Sequence, residues 1–456
     1  MKLLEDLHAR FSLPDAIAAE VTEEGDRPHA RRSFFLFLTL VPALILFFFP
    51  FLLRPTIFSG DEPHYLLVAN SILKNHTLDL RKIYDQNAAG ATLAGRAFAG
   101  ASLDHHTALV DIGRFPHKTL GQWHQFFSED FRKEWNLPEL PEPPVGYAEY
   151  SVRAVGWPLL VAAGSFGTGF DAEAVGKILS HLCVLLAALF VALTLRRLGC
   201  ESVVSVFCAV TIFLGSSYWI FANTAMAEAS MGACLACVIY AMIAGNGILL
   251  GLALSLGAWM KFQFLAPAGA LFLMGMVLIP SHQRIRLVVV FAIGIGSYLL
   301  FNFLCYGQIK PPMLWIPGSP LKALSYFFLD PQTSILLRNP WIFALAGIPF
   351  SLRKAVSLNL FLILGATLVI LILPPLLYGE YVGGYGYPCR LIQPALIILV
   401  VFLGLLLQKA GTILRGAAMA LVTLSILINL VAAISDPRLT WSPTWLWMQA
   451  FFQHLS

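Results

Sequence analysis

A short acidic segment carries the residue types best suited to chemistry. Residues Ser59–Tyr65 read Ser-Gly-Asp-Glu-Pro-His-Tyr and follow the first long apolar run of the chain. The serine and glutamate have the spacing of a helix-capping box, which predicts a helix from about Asp61 to Lys74 with an apolar face along the membrane surface. Asp61 would lie at its N-terminus, where backbone N–H groups favour an ionised carboxylate. Such a group suits a general base or a metal ligand, and the spacing supports a plain helix cap equally well.

Three charged residues further along the chain could approach that carboxylate. Glu228 begins the apolar run 225–243, and an acid so close to hydrocarbon is costly and usually functional. Lys261 separates two apolar runs, and Arg390 ends the glycine-rich segment Gly383–Arg390. Both cations could neutralise a phosphate, and both could instead anchor their segments at a membrane surface.

The sequence also offers ligands for a metal, although no complete set. Asp104 precedes His105 and His106, and because adjacent side chains point to different faces, a metal site there needs a third ligand. No cofactor is required, but a divalent metal is possible if a loop acid joins the acidic segment. The candidate catalytic residues are Asp61 and Glu62, and the candidate substrate-binding residues are His64, Tyr65, Asp104, Glu228, Lys261 and Arg390.

The composition sets the environment in which these residues act. Of the 456 residues, 58% are hydrophobic and 12% are charged, and the mean hydropathy is +0.73. A soluble domain is about 45–50% apolar and about 25% charged, so a water-soluble enzyme is excluded. Abundant apolar residues and a net charge of only +4 exclude a disordered chain and give no support for nucleic-acid binding. The protein is therefore expected to be a polytopic membrane protein.

The order of polar and apolar segments divides the chain into five parts. They are a cytoplasmic amphipathic N-terminus (1–32), a first transmembrane helix (33–53), an extracytoplasmic loop (54–171), a transmembrane helical bundle (172–434) and an extracytoplasmic C-terminal tail (435–456). Five basic residues before the first helix place the N-terminus in the cytoplasm by the positive-inside rule. The loop holds 12 of the 26 acidic residues and 10 of the 30 basic residues within 54–153, so the chemistry is expected outside the cytoplasm.

Apolar runs of helical length predict an all-α membrane protein with about eleven transmembrane helices, in a range of roughly 10–13. After the first helix the runs lie at 154–170, 172–195, 202–221, 225–243, 247–260, 263–280, 287–305, 338–352, 357–377, 391–408 and 414–433. The run 154–170 is rich in glycine, and it is assigned as a re-entrant or interfacial segment because the later basic pairs then fall in the cytoplasm. Cys305 and Cys389 both come near the outer face, which leaves a disulfide between them open.

Four segments resemble the GT-C superfamily of integral-membrane glycosyltransferases, most closely the branch of protein O-mannosyltransferases and lipid A aminoarabinose transferases. Ser59–Tyr65 is similar to that branch's Asp-Glu signature in its first external loop. Tyr150–Leu160 resembles the segment that closes this loop, Trp259–Phe262 looks like its lysine at the end of a short span, and Gly383–Arg390 resembles a glycine-rich loop that ends in arginine. The chain departs from the pattern at 157–160, which reads Trp-Pro-Leu-Leu, and it shows no sizeable soluble C-terminal domain. These departures leave the acceptor open.

The resemblance implies a GT-C-like fold with juxtamembrane helices in a large first loop, and an inverting sugar transfer from a polyprenyl-phosphate carrier. The acceptor would be a hydroxyl group of a glycan, lipid or protein. Asp61 would be the general base and Glu62 would position the acceptor or tune Asp61, while Lys261 and Arg390 would stabilise the leaving phosphate. The expected location is the bacterial inner (plasma) membrane with an extracytoplasmic active site, and the expected partners are the lipid-linked donor, the acceptor and membrane lipid.

A lipid-linked sugar flippase or transporter is the alternative from another functional class. Transporters place charges near mid-membrane in broken helices, whereas the apolar runs from 202 onward carry almost no internal acids or bases. A membrane acyl- or phosphotransferase is a third alternative, and it would need a site led by histidine or by a metal. The distribution of charges favours the glycosyltransferase.

Overall fold

Most of the described chain is helical. The computed structural model describes residues 40–51, 61–89, 106–123, 146–309, 318–330, 334–347, 358–378 and 390–434. Its first part contains α1 (Leu40–Phe51), α2 (Glu62–Asn70, continued by a π-helix over Ser71–Asn75), α3 (Arg81–Ala88), β1 (Thr107–Asp111), β2 (Lys118–Trp123), β3 (Tyr147–Ser151) and α4 (Gly156–Thr168).

The second part consists of helices that pack against one another. It contains α5 (Ala172–Arg197), α6 (Ser202–Phe213), α7 (Tyr218–Ala222), α8 (Glu228–Ala244), α9 (Gly247–Met260), α10 (Leu265–Leu278), α11 (Ser281–Tyr306), α12 (Pro320–Leu324, continued by a π-helix over Ser325–Leu329), α13 (Ile335–Arg338), α14 (Leu358–Leu377), α15 (Ala395–Lys409) and α16 (Thr412–Ile434). Short 3₁₀ segments lie at Phe262–Phe264, Pro340–Gly347 and Arg390–Ile392.

Local signals in the sequence account for the main helix boundaries. The Asp171 carboxylate accepts the Ala174 N–H at 2.8 Å and caps the start of α5. Gly245 ends α8 with φ +66°, and Asn246 then caps α9 by accepting the Leu249 N–H at 3.0 Å. These adjoining caps make a tight turn, so α8 and α9 run side by side and pack against each other.

Four helices of the described chain are long and apolar enough to cross a membrane: α5, α11, Asn359–Leu377 within α14, and Thr412–Ala433 within α16. The outer side of α5 exposes Leu182, Leu186, Leu189 and Leu193, which lie on one face at helical spacing. A continuous exposed stripe of leucine is unfavourable in water and suits a lipid environment. Membrane association follows from these helices.

The predicted apolar runs coincide with helices in most places. Six shorter apolar helices (Leu40–Phe51, Ser202–Phe213, Glu228–Ala244, Gly247–Met260, Phe262–Leu278 and Ala395–Lys409) accompany the four long ones. The number of spans and the GT-C-like fold stay predictions. The assignment of 154–170 as a re-entrant or interfacial segment also stays a prediction; α4 fills 13 of its residues, about 20 Å of helix.

Two of the predicted runs are not single α-helices. The run 202–221 divides, because α6 ends at Phe213 and α7 begins only at Tyr218. The described part of the run 338–352 is mainly a 3₁₀ segment, because a residue before proline is disfavoured in the α conformation, and Asn339 before Pro340 has φ −130° and ψ 67°.

A small antiparallel sheet was not predicted. Its strand order is β2-β1-β3, with Thr107 opposite both Trp123 and Ser151. The sheet rests on the end of α11, where the Tyr306 hydroxyl donates to the Ser151 carbonyl at 2.6 Å. The loop was expected to contain juxtamembrane helices, and its strands are only five or six residues long, so they leave little signal in the sequence.

Candidate active site

The helix α2 carries the acidic segment into the interior of the protein. All its residues from Glu62 to Ala69 are buried. One side of α2 packs through Tyr65 and Leu66 on α4 and α5, and another packs through Leu67 on α3. The predicted helix therefore exists, and protein covers both of these sides. Its position along the membrane surface stays a prediction.

Asp61 lies directly before α2 and is 5% exposed. Its carboxylate does not cap the helix. Instead, Oδ1 accepts from Nη2 of Arg153 at 2.7 Å, and Oδ2 is 3.1 Å from Nη2 of Arg390. Nδ1 of His106 lies 3.9 Å from Oδ1. The Asp61 carboxylate thus connects Arg153, which follows β3, with Arg390, which precedes α15.

The charges around Asp61 decide its protonation state. Burial would raise the pKa of Asp61, but the nearby Arg153 and Arg390 guanidinium groups outweigh burial and hold this pKa well below its usual range. Burial and the adjacent carboxylates raise the pKa of Tyr65 above its ordinary value, so that phenol stays neutral. In this arrangement Asp61 is fully ionised and is a weak base as long as both guanidinium groups hold it.

A second ion pair extends the network. Glu228, the first residue of α8, binds Nζ of Lys261 through Oε1 at 2.6 Å. Nη1 of Arg390 is 3.9 Å from the same oxygen. Arg390 therefore lies between the two carboxylates, and the predicted residues Asp61, Glu228, Lys261 and Arg390 come together.

The packing of α4 against α9 fixes the position of Lys261. Lys261 follows the last residue of α9, and its N–H bonds to the Gly257 carbonyl at 3.0 Å. Trp259, two residues earlier, lies with its backbone against Gly156 at the start of α4. A Cβ atom at Gly156 would collide with the Trp259 carbonyl, so only glycine allows this approach.

Glu62 contacts the backbone that leads into α8. Its Oε1 accepts the Ala225 N–H at 2.6 Å, and Nε1 of Trp157 donates to the Ala225 carbonyl at 2.7 Å. The N–H and the carbonyl of Ala225, three residues before Glu228, are thereby both held in place. This geometry gives Glu62 a positioning contact, and its predicted catalytic role stays a prediction.

Two histidines stack beside Asp61. The rings of His64 and His106 have centroids 3.7 Å apart and are nearly parallel. Nδ1 of His64 lies 2.7 Å from the hydroxyl of Tyr84 in α3. His64 therefore lies beside the site, stacked on a histidine whose Nδ1 is 3.4 Å from Nη2 of Arg153.

Arg153 and His106 are the site residues that sequence reasoning missed. His106 was noted only as part of a possible metal cluster, and Arg153 only as part of a loop-closing segment. Arg153 is a lone arginine directly before an apolar run, which was the one available signal. Asp104 and Cys389 lie outside the described residues, as does Ser59.

A cavity of about 250 Å³ adjoins the charged network. Glu228, Lys261 and Arg390 line one side of it. The rest of its wall is largely apolar and comes from α10, α14 and the start of α15, including Leu265, Pro267, Leu371, Pro374, Pro375, Leu391 and Pro394. A molecule with an anionic group and an apolar chain would match both parts of this wall.

Polar atoms at this wall lack hydrogen-bond partners among the described residues. They are Nε and Nη1 of Arg390 and Oε2 of Glu228. Arg390 is only 6% exposed, and leaving buried donors of a charged group unpaired is costly. These N–H groups fit the oxygens of an anion.

The described residues show no group of three His, Cys, Asp or Glu side chains arranged to hold a metal ion. The divalent metal considered from the sequence stays untested, since Asp104 and His105 lie outside the described residues.

Comparisons with protein-family models, curated proteins and solved structures find no match for this chain. The resemblance to the GT-C glycosyltransferases therefore stays a prediction from four short segments. Any functional conclusion has to come from the site itself.

Proposed function

We propose that the protein is a membrane-bound inverting glycosyltransferase of GT-C type, which moves a sugar from a polyprenyl-phosphate carrier to an acceptor hydroxyl group. The observation that carries the proposal is the link through one residue, Arg390, between the buried Asp61 carboxylate and a largely apolar cavity with charged residues in its wall. A base and an anion site next to each other are the two parts that such a transfer needs.

The cavity supports a lipid phosphate as the donor group. Lys261 and Arg390 offer cations for a phosphate, and the walls from α10 and α14 offer apolar surface for a lipid chain. A nucleotide sugar would present a polar base and ribose to this largely apolar wall, so it fits less well. The proposed donor accordingly stays in the lipid phase during the reaction.

Each charged residue of the site has one role in the proposed reaction. Asp61 takes the proton from the acceptor hydroxyl, whose oxygen attacks the anomeric carbon from the side opposite the phosphate. The bond from that carbon to the phosphate oxygen breaks, and the phosphate leaves with the electron pair, stabilised by Lys261 and Arg390. Direct inversion needs only one carboxylate at the reacting carbon. Glu62 holds the segment before α8 in place.

The proposed location is the extracytoplasmic face of the bacterial inner membrane. The charged network lies where α8 begins and where α9 ends, at helix ends rather than helix centres. A transporter should instead hold its charges near mid-membrane. This placement supports the enzyme over a lipid-linked sugar flippase.

Asp61→Asn tests the proposal most directly. We expect the variant to lose transfer by at least about a hundredfold, because it lacks the group that accepts the proton. The purified protein, with and without a chelator, is assayed against a panel of polyprenyl-phosphate sugars and hydroxyl acceptors. Glu173→Gln is the matched control, because it also replaces an ion-paired carboxylate by an amide, in α5. Transfer by Asp61→Asn at the wild-type rate would remove Asp61 as the base.

A further inference from the structure

We propose that the donor phosphate and Asp61 compete for Arg390, so that donor binding releases Asp61 to act as the base. This inference deepens the proposed function, on which it rests, by adding a control of the catalytic site by its own substrate. It begins from the position of Arg390 between the cavity and Asp61. The described lining of the cavity includes Arg390 but neither Asp61 nor Arg153.

The hydrogen bonds of Arg390 show that it is only partly satisfied. One of its nitrogens, Nη2, is paired with Asp61 at 3.1 Å. Its Nε and Nη1 atoms are buried and have no hydrogen-bond partner among the described residues. A phosphate that accepts from Nη1 and Nη2 together, in the bidentate manner that arginine favours, would compete with Asp61 for Nη2. Turning the planar guanidinium toward a phosphate would lengthen its contact with Asp61.

The cations at the cavity wall can accept the charge of one phosphodiester. Arg153, Arg390 and Lys261 are the cations in the ion pairs of Asp61 and Glu228. A sugar linked to a lipid through a phosphodiester carries one negative charge, and Arg390 and Lys261 line the cavity in which it would bind.

The competition has a functional consequence for Asp61. Without donor, two guanidinium groups hold the carboxylate and make it a poor proton acceptor. When a phosphate neutralises Arg390, Asp61 keeps Arg153 at 2.7 Å and His106 at 3.9 Å but loses one of its two guanidinium partners, and the carboxylate becomes a stronger base. Deprotonation of an acceptor then follows donor binding. Because linkage is reciprocal, removing the Asp61 charge must strengthen phosphate binding.

The experiment measures binding of farnesyl phosphate to the full chain in nanodiscs. We expect Asp61→Asn to bind farnesyl phosphate about tenfold more tightly than wild type, a coupling of ordinary size. Arg153→Gln should bind it several-fold more weakly, because Asp61 then loses its other guanidinium partner and holds Arg390 more strongly. Glu173→Gln, which changes an ion pair in α5, should bind as wild type does.

A double variant guards against misfolding. Asp61→Asn leaves Arg153 without its carboxylate, so the variant Asp61→Asn with Arg153→Gln removes both charges together. It should bind farnesyl phosphate as tightly as Asp61→Asn, since Arg153 acts on the cavity only through Asp61. Unchanged or weaker binding by both Asp61 variants would overturn the competition.

Two further outcomes separate this inference from the proposed function. If wild type binds farnesyl phosphate and transfers sugar but Asp61→Asn gains no affinity, the proposed competition for Arg390 is wrong and the proposed glycosyltransferase function is still supported. If wild type binds no farnesyl phosphate, both the competition for Arg390 and the proposed transfer from a lipid phosphate are contradicted. Inorganic phosphate is the second probe, and equal affinity for it would show that the apolar wall contributes nothing, which would overturn a lipid donor as the competitor.

Discussion

Two glutamate–lysine ion pairs of nearly equal length lie in different regions of the molecule. Glu173 and Lys177 are one turn apart in α5 and pair at 2.7 Å. Glu228 and Lys261 are 33 residues apart, join the start of α8 to the end of α9, and pair at 2.6 Å. The residue types are the same, so their difference comes from what surrounds each pair.

The two pairs differ in whether they line the described cavity. Glu173 and Lys177 both belong to α5, and neither lines the described cavity. The pair between α8 and α9 adjoins Arg390 and lines the cavity, and Oε2 of Glu228 is buried without a hydrogen-bond partner among the described residues. Ion pairing alone therefore does not mark a site. A buried ion pair that lines a cavity and has atoms without hydrogen-bond partners is a candidate functional site.

Lys261→Met is expected to have the largest effect. Loss of the ammonium takes the close partner from the buried Glu228 carboxylate and leaves it the Arg390 guanidinium at 3.9 Å, which costs about 3–5 kcal/mol of stability. The proposed transfer should fall by at least about a hundredfold, because a cation at the leaving phosphate is missing. Thermal unfolding in detergent and a transfer assay at a temperature where the variant is folded measure the two effects. Full transfer by a folded Lys261→Met protein would contradict the role of this pair.

The double variant Glu228→Gln with Lys261→Met separates stability from function. Removing both charges leaves no isolated ion, and replacement of a buried pair by neutral groups often costs little. We expect the unfolding free energy to recover to within about 1 kcal/mol of wild type, with coupling between the two sites. Transfer should remain lost. Recovery of transfer together with stability would show that the pair only supports the fold.

Part of this contrast could be predicted from the sequence. The sequence predicted that Glu228, Lys261 and Arg390 lie near Asp61, because each stands at one end of an apolar run. Each run that spans the membrane takes the chain to the other side, so alternate run ends lie at the same membrane face. The same lengths predicted most helices, for example α5 and α9. Regular structure and its boundaries follow from local hydropathy and caps, as at Asp171 and Asn246.

Contacts between distant segments could not be predicted in this way. Arg153 reaches Asp61 across 92 positions of sequence, and His106 reaches it from the start of β1. Both depend on the pairing of β1 with β3, and strands of five residues leave little periodic signal in a polar loop. The pairing of Glu228 with Lys261 likewise depends on how α8 and α9 pack, which hydropathy does not specify.

Gly156→Ala is expected to have an intermediate effect on the pair between α8 and α9. The added methyl group would collide with the Trp259 carbonyl, and relief of such overpacking costs about 1–3 kcal/mol. The end of α9 would shift, and Lys261 with it, so transfer should fall by more than the loss of folded protein explains. Thermal unfolding and transfer per folded molecule measure the change.

Gly167→Ala is the matched control in the same helix, α4. A Cβ atom there meets no heavy atom of the described residues within 4 Å, so stability should hold or rise slightly, since alanine favours a helix. If Gly156→Ala were as stable and as active as this control, the close approach of α4 to Trp259 would not be what positions Lys261.

Lys177→Met should have the smallest effect, although it deletes the same charge as Lys261→Met. An ion pair one turn apart in a helix contributes about 0.5 kcal/mol, and Glu173 is 19% exposed against 3% for Glu228, so its remaining charge is more easily solvated. Thermal unfolding should change by little and transfer should stay at the wild-type level. If Lys177→Met instead lost as much transfer as Lys261→Met, the border with the cavity would not be what distinguishes the two pairs, and burial of any charge in this protein would explain both.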